Sequence, residues 1–250
     1  MVRSLLQRAR WYLNAQRRAQ KLGVRFYRRI TFKVPSLLYC DKVLIKIATD
    51  DEGSKGDFIN IFLDDCYQLE KIKARNMKQP VVVDVGANVG LFCIAARNHL
   101  PTATIYAYEP NGRIVPLLAK NTEKLDVRWE QKAVGGSRGR VSMVDEGNSN
   151  RARTASDRGS VEQITLEDVV ERVGGRIDVL KLDCEGAEWG MLQDEQAWRN
   201  VSAVTMEYHC WAKPGSTHGE FADELRRLGF VPVSHRSYRE VGMLFALKGP

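Results

Sequence analysis

From residue 80 onward, short apolar runs alternate with stretches whose apolar positions recur at helical spacing. Residues 80–90 read as a buried strand entering a glycine-containing turn, 91–100 as a helix and 103–110 as the next strand. The same pattern predicts helices at 112–124, 165–173, 187–198 and 218–228, and strands at 126–134, 177–182 and 201–207. Two closing apolar segments, 230–234 and 241–247, are joined by a short polar link and predict an antiparallel pair at one edge. Strands that alternate with helices in this way predict an α/β fold. Its sheet is mainly parallel, with helices on both faces and right-handed crossovers.

Two stretches depart from that pattern. Residues 147–160 hold no apolar side chain except two alanines, which predicts a mobile surface loop, either a lid or an idle insertion. Near the start, Val2, Leu5, Leu6, Ala9, Tyr12, Leu13 and Ala19 fall on one helical stripe. They lie opposite Arg3, Arg10, Arg17 and Lys21, with Gly23 as the stop. The chain is therefore divided into a basic amphipathic helical segment over residues 1–40 and one α/β domain over residues 41–250.

Charge sharpens that division. Residues 1–40 carry ten Lys or Arg and no Asp or Glu, whereas the other 210 residues carry 28 basic and 31 acidic side chains. The net +7 thus belongs to the leading segment, and a protein that coats nucleic acid with its whole surface is excluded. Hydrophobic content of 44% and charged content of 28% are globular values. No apolar run approaches the roughly 20 residues that span a bilayer. Arg8, Arg10, Arg17 and Arg18 interrupt any secretory signal, although an Arg-rich, acid-free start also suits a mitochondrial presequence. Cys40, Cys66, Cys93, Cys184 and Cys210 contain no Cys-x-x-Cys pair. They read as buried thiols of a reducing compartment, so a cytoplasmic location is expected, with peripheral membrane contact as an option.

Candidate chemistry gathers at two places. In Asp84-Val85-Gly86-Ala87-Asn88-Val89-Gly90, Gly86 permits a sharp turn, Asn88 tolerates a left-handed conformation and Gly90 allows close approach at a helix start. Such a turn above strand ends can hold an adenosine-containing ligand. Glu109, at the end of the next strand, is placed to accept hydrogen bonds from ribose hydroxyls, or else to cap a helix start before Pro110. The third residue of a dinucleotide fingerprint would be glycine and is Asn88 here. Tyr67 and Lys71 have reductase spacing but precede the turn, and read as successive faces of a helix. The second place is Lys181-Leu182-Asp183-Cys184-Glu185-Gly186-Ala187-Glu188, with three carboxylates at the carboxyl end of a strand. Asp183 and Glu185 are expected beside the crevice with shifted proton affinities, while the less favoured alternative is that Glu185 and Glu188 cap the following helix.

With these residues in hand, the chain resembles the FkbM-type family of S-adenosylmethionine-dependent methyltransferases. VVDVGANVG, YAYEP, KAVGG, ITLEDVV and VLKLDCEGAEW stand in that family's order and spacing over about residues 57–210. The resemblance implies a Rossmann-like class I methyltransferase fold. It has a seven-stranded, mainly parallel sheet, an antiparallel strand at its edge, and here an N-terminal helical appendage. It further implies that Asp84, Gly86, Asn88 and Gly90 line the methionine end of the cofactor. Glu109 would then hold the ribose, Ala133 and Val134 would lie near the adenine, and Asp183 would sit beside the methyl group. The implied acceptor is a hydroxyl of a sugar, glycan, glycolipid or related natural product. Neither the Asp/Asn-Pro-Pro-Tyr/Phe block of amine methyltransferases nor a Pro-Cys pair occurs.

A sugar hydroxyl is a weak nucleophile, so a general base or a cation is expected to assist. His209 is the first candidate base and Asp183 the second, with Glu185 completing the catalytic set. Asp183, Glu207 and His209 could instead bind a divalent cation, although the reading without a metal is preferred. Trp189, Trp211 and Tyr208 could stack on a sugar ring or belong to the core. Alternatives are ribose 2'-O-methylation of RNA, which the acidic body disfavours, and a non-catalytic binding protein on a methyltransferase fold. The first 30 residues would meet an anionic membrane surface or pack on the domain or on a second subunit of a homodimer.

Overall fold

The computed structural model of the chain describes residues 5–27, 32–40, 43–49, 53–144, 153–156 and 159–249. It opens with α1 (Leu5–Lys21) and a hairpin of β1 (Leu37–Cys40) and β2 (Val43–Lys46). α2 (Gly53–Phe58) then continues into a π-helical stretch, Ile59–Leu63, ahead of α3 (Leu69–Lys73). β3 (Val81–Val85), α4 (Leu91–His99), β4 (Thr104–Tyr108), α5 (Val115–Thr122) and β5 (Val127–Glu130) come next. Four strands follow, β6 (Ala133–Gly135), β7 (Gly139–Val144), β8 (Arg153–Ser156) and β9 (Val161–Thr165). The chain closes with α6 (Leu166–Arg172), β10 (Val179–Leu182), α7 (Glu188–Met191), α8 (Glu195–Trp198), β11 (Ala203–His209), α9 (His218–Arg227), β12 (Phe230–Tyr238) and β13 (Val241–Lys248).

Seven strands form the main sheet in the order β12-β13-β11-β10-β3-β4-β5. β13 is antiparallel to both its neighbours, and the remaining pairings are parallel. β3 and β10 are adjacent yet distant in sequence, because the chain builds outward through β4 and β5 and then returns to the other side of β3. Beyond the carboxyl ends of two such strands the connections diverge and leave a crevice. Burial on both faces explains why β3 and β10 are almost wholly apolar. β12 lies at the edge, and exposed side chains recur along it. β6, β9, β7 and β8 form a separate four-stranded sheet.

Several expected elements differ in detail. The run 126–134 is two strands, β5 in the main sheet and β6 in the small one. The run 187–198 is two short helices, the second capped by Asp194, whose carboxylate accepts the Ala197 N–H. Most of the polar link between the closing strands is itself strand, since β12 continues to Tyr238 before a turn at Arg239 with φ 54°. Within the expected loop 147–160, residues 153–156 pair with β7 as β8, which corrects the reading of that part as a loop. Residues 147–152 and 157–158 lie outside the described residues.

α1 forms where expected, and Tyr12 and Ala19 of the expected apolar stripe turn inward, but the leucines of that stripe do not. Ala15, Ala19 and Leu22 are buried, whereas Leu6 is 84% and Leu13 55% exposed. Small alanines let the helix approach the π-helical stretch closely. Arg18 then reaches across it, with Nη1 donating to the Leu63 carbonyl at 2.9 Å and Nη2 to Glu70 at 2.9 Å. The indole of Trp11 donates to Asp64. Phe26, Phe32, Phe58 and Phe62 continue the contact as a chain of rings with centroids 4.7–5.5 Å apart. Leu22 and these rings belong to the same apolar cluster as α4, and each fully buried side chain of this kind contributes about 1.5–3 kcal/mol.

Candidate active site

The crevice beyond β3 and β10 holds a cavity of about 340 Å³, within the range of small-molecule sites. Its floor is the turn after β3. The amides of Gly86 and Ala87 both donate to the Tyr108 carbonyl at 3.0 and 3.1 Å, which ties this turn to the end of β4. Gly86 has φ 75°, and a Cβ there would lie 1.7 Å from the backbone oxygen of Asp183. Only a bare backbone allows the ends of β3 and β10 to pass so closely. Asn88 adopts φ 48°, and its N–H donates to Glu109 at 2.8 Å.

Glu109 accepts the Asn111 N–H at 2.8 Å through its other oxygen. The carboxylate is thereby oriented by two backbone amides while lining the cavity. Burial pushes its pKa up to about 7, against the pull of those amides. Gly86, Asn88, Glu109, Ala133 and Val134 all line the cavity, as expected of the cofactor side. Asp84 and Gly90 do not. The Asp84 carboxylate lies beneath the turn, fully buried and paired with Lys181 Nζ at 2.9 Å. Lys181 also donates to the Gly86 carbonyl at 2.6 Å, so this ion pair braces the turn from below. Gly90 faces α5 instead, where a Cβ would meet Leu118 at 2.9 Å and Thr122 at 3.2 Å.

Asp183 directly follows β10 and lines the same cavity. Burial and the neighbouring Glu207 push its pKa up to about 6, against the pull of Lys181. One oxygen accepts the phenol of Tyr67 at 2.8 Å. Tyr67 lies in the bend between the π-helical stretch and α3, not on a helix face, and its carbonyl accepts the Thr205 hydroxyl at 2.9 Å. Its reductase-like spacing from Lys71 carried no information about this contact. Asp57, Asn60, Ile61 and Cys66 from the same region complete that wall.

Glu185 also lines the cavity, in a left-handed conformation with φ 52°. Burial pushes its pKa up to about 8, with His209 opposing. Glu188 is wholly buried and folds back to accept the amides of Cys184 and Gly186 at 2.9 Å each. It therefore caps the loop that carries Glu185. His209 stands behind this wall, 2% exposed. Its Nδ1 lies 3.4 Å from Glu188, and its Nε2 lies 3.6 Å from both Glu185 and Glu207. Burial works against a charge on this ring, but the three carboxylates more than offset it and lift the pKa to about 11. His209 is thus a held cation at neutral pH and is not among the cavity-lining residues. Both points argue against its assignment as general base.

Asp183, Glu185 and His209 bring one ligand atom each within 4.8 Å of one another. Glu207 and His209 are brought together as well, so all members of the expected cation set are neighbours. Two of the expected sugar-stacking residues are core. Tyr208 is fully buried and stacked on Phe221 at 3.9 Å, and the Trp189 indole donates to the His209 carbonyl at 2.9 Å. The third, Trp211, packs near His209 with ring centroids 5.6 Å apart and is not among the cavity-lining residues.

This strand order, with a glycine turn after β3 and a cavity-facing carboxylate after β4, defines a class I S-adenosylmethionine-dependent methyltransferase. The family model described as "Methyltransferase FkbM domain" matches residues 84–232, and the chain belongs to that family. It is 28% identical over 189 residues to methyltransferase sdnD of Sordaria araneosa, covering 59% of this chain and 71% of that one. It is 26% identical over 216 residues to the 31-O-demethyl-FK506 methyltransferase FkbM of Streptomyces tacrolimicus, covering 70% of this chain and 81% of that one. Among solved structures, the magnesium protoporphyrin IX methyltransferase of Synechocystis PCC 6803 with bound cofactor aligns with a TM-score of 0.48 at 13% identity, covering 81% and 86% of the two chains.

The residues present fit S-adenosylmethionine. A buried carboxylate, Glu109, faces the cavity, and each of its oxygens accepts one backbone amide and keeps a lone pair for a ligand hydroxyl. Gly86 and Asn88 supply the close backbone, and Ala133 and Val134 supply a small apolar wall.

Proposed function

We propose that this methyltransferase acts on oxygen, methylating a hydroxyl of a sugar, glycan, glycolipid or related natural product. Asp183 carries the reading. It is a cavity-lining carboxylate whose proton affinity burial raises toward neutrality and whose second contact, Tyr67, fixes its orientation. A base with a pKa of about 6 is largely ionised at neutral pH yet still holds a proton well, which suits a weakly acidic alcohol. The named activity of the Streptomyces relative, on a demethylated natural product, favours the same kind of acceptor.

Bound S-adenosylmethionine supplies a methyl group already activated on sulfur. The chain's own contribution is alignment and proton handling. Glu109 holds the cofactor's ribose, and the Gly86 turn lets the backbone come close. Asp183 accepts the proton of the acceptor hydroxyl at the carboxylate oxygens. Tyr67, Ile61 and Met243 narrow the cavity and limit water. His209 is a positioning residue in this scheme, since its charge offsets Glu185, Glu188 and Glu207 and keeps these three crowded carboxylates compatible with folding.

A cation-assisted variant rests on the Asp183, Glu185 and His209 donor atoms. In that variant the ion takes the place of the His209 proton. Calorimetry with S-adenosylmethionine, then incubation with labelled cofactor and panels of glycans, hydroxylated natural products and RNA, tests the reading. Methylated oxygen on a sugar or natural product is expected. Absence of cofactor binding would favour a non-catalytic protein, and transfer to RNA alone would favour the ribose alternative. Turnover unchanged by a chelator is expected for the metal-free form, and loss restored by a divalent ion would establish the variant.

A further inference from the structure

Among the described residues, ten large apolar side chains are notably exposed, and six of them, Leu6, Leu13, Tyr27, Leu37, Tyr39 and Leu44, lie within the first 44 positions. The same stretch holds the whole basic surplus of the protein. On α1, the 4-3-4 spacing of Leu6, Arg10, Leu13 and Arg17 places them on one stripe, which corrects the expectation that these leucines and arginines lie on opposite faces, and all four are exposed. The opposite stripe, through Ala15, Ala19 and Leu22, is already occupied by the domain. The outward stripe is therefore not a packing face that awaits the body of the protein.

The β1–β2 hairpin repeats the arrangement. Leu38, Cys40 and Ile45 point inward, whereas Leu37 and Tyr39 are exposed across from Lys46 and Leu44. Leu37, Tyr39, Leu44 and Lys46 thus share one outer face. The hairpin abuts the end of α1, since the Tyr39 N–H donates to the Leu22 carbonyl at 3.2 Å and the Tyr39 ring lies against Gly23. Tyr27 is brought beside the helix by the Tyr12 hydroxyl, which donates to the Tyr27 carbonyl.

We propose that α1 and the β1–β2 hairpin form a docking face for an anionic lipid bilayer. The partner is chosen by the combination of side chains. Leucines interleaved with arginines match an interface that is apolar within and negatively charged at its headgroups. Nucleic acid would match the arginines and leave Leu6, Leu13, Leu37 and Leu44 without a role. A second copy of the chain would cover the leucines but would bring together two segments that each carry ten basic side chains and no acid. Among the described residues no helix is long and apolar enough to cross a membrane, so the contact lies in the plane of the surface. The inference is independent of the acceptor and holds for any substrate of the reaction.

Flotation of the full chain with two kinds of vesicle tests it. One kind contains phosphatidylcholine alone and the other phosphatidylcholine mixed with phosphatidylglycerol. Binding is expected only to the anionic vesicles and is expected to fall steeply with added salt. Arg10→Glu with Arg17→Glu should weaken it by at least about tenfold, and Leu6→Ser with Leu13→Ser by a similar factor. Both pairs should retain the wild-type circular dichroism and cofactor affinity. Equal recovery with both kinds of vesicle, or binding that survives both pairs of substitutions, overturns the proposal. So does a chain that ignores vesicles but loses a dimer in sedimentation, or RNA retention, when the same residues are changed.

Discussion

The phenol of Tyr67 donates a 2.8 Å hydrogen bond to the carboxylate of Asp183, joining a bend near the start of the domain to the end of β10. The bond favours the ionised form of Asp183. Tyr67→Phe should therefore raise the Asp183 pKa above its value of about 6 and move the acid limb of the pH–kcat profile upward. A loss in kcat of about tenfold at neutral pH is expected, corresponding to a net hydrogen bond of about 1–1.5 kcal/mol. Cofactor affinity measured by calorimetry should not change.

Asp183→Asn tests the base directly. Turnover should fall by about a hundredfold to ten-thousandfold, the contribution of a positioned general base. Because Asn keeps the shape, binding of S-adenosylmethionine should persist. A variant with full activity would remove Asp183 from the chemistry.

His209 makes an opposite kind of prediction, one of stability. His209→Gln leaves Glu185, Glu188 and Glu207 without their cation and should destabilise the fold by roughly 3–5 kcal/mol. The folded ring holds its proton up to about pH 11 against an ordinary 6.5. Its contribution is therefore fully present below about pH 6.5 and is lost as pH rises toward 11. Thermal melts of the two proteins should differ most in mild acid and converge in alkali.

Glu109→Ala should weaken S-adenosylmethionine binding by about tenfold to a hundredfold, in line with loss of hydrogen bonds to a charged group. Part of that loss comes through the amides of Asn88 and Asn111, which the carboxylate holds in place. Calorimetry checks the affinity. The KM for the acceptor should stay close to that of the wild type.

The two glycines of the turn should separate. In Gly86→Ala the methyl group meets a backbone oxygen at 1.7 Å, which cannot yield without moving β10. In Gly90→Ala it meets the end of the Leu118 side chain at 2.9 Å, which can rotate away. Both carry the left-handed penalty of about 1 kcal/mol or more. Gly86→Ala should therefore abolish cofactor binding or folding, whereas Gly90→Ala should lower the melting temperature and keep activity.

The placing of Gly86, Asn88 and Glu109 around one cavity was legible because its determinants are local. A strand, a left-handed turn and an acid one strand later specify most of their own geometry, so Gly86, Asn88 and Glu109 could be read from order and spacing. Asp84 and Gly90 belong to the same motif but face away from the cavity, toward Lys181 and α5. Which way a turn residue faces depends on what packs beneath it, and that is tertiary information. Tyr67 illustrates the same limit, since a side chain in an irregular bend has no periodicity to betray it. On α1 a period was visible but its inward side was misassigned. Of the expected stripe, Tyr12 and Ala19 do turn inward, but hydrophobicity also pointed to Leu6 and Leu13, while the close approach to Leu63 and Asp64 called for Ala15.

The cavity wall contributed by Asp57, Asn60, Ile61 and Tyr67 lies ahead of residue 84, where the match to the family begins. Gly86, Glu109, Val134 and Asp183 all lie inside the matched span. The site is thus composed of an inherited socket for the cofactor and a separate panel that α1 clamps in place through Trp11 and Arg18. Under the proposed function, acceptor choice is expected to follow that panel, while the cofactor side stays with the matched span. A fragment trimmed to the matched span would lose this front wall and, with β13, the strand that joins β12 to β11.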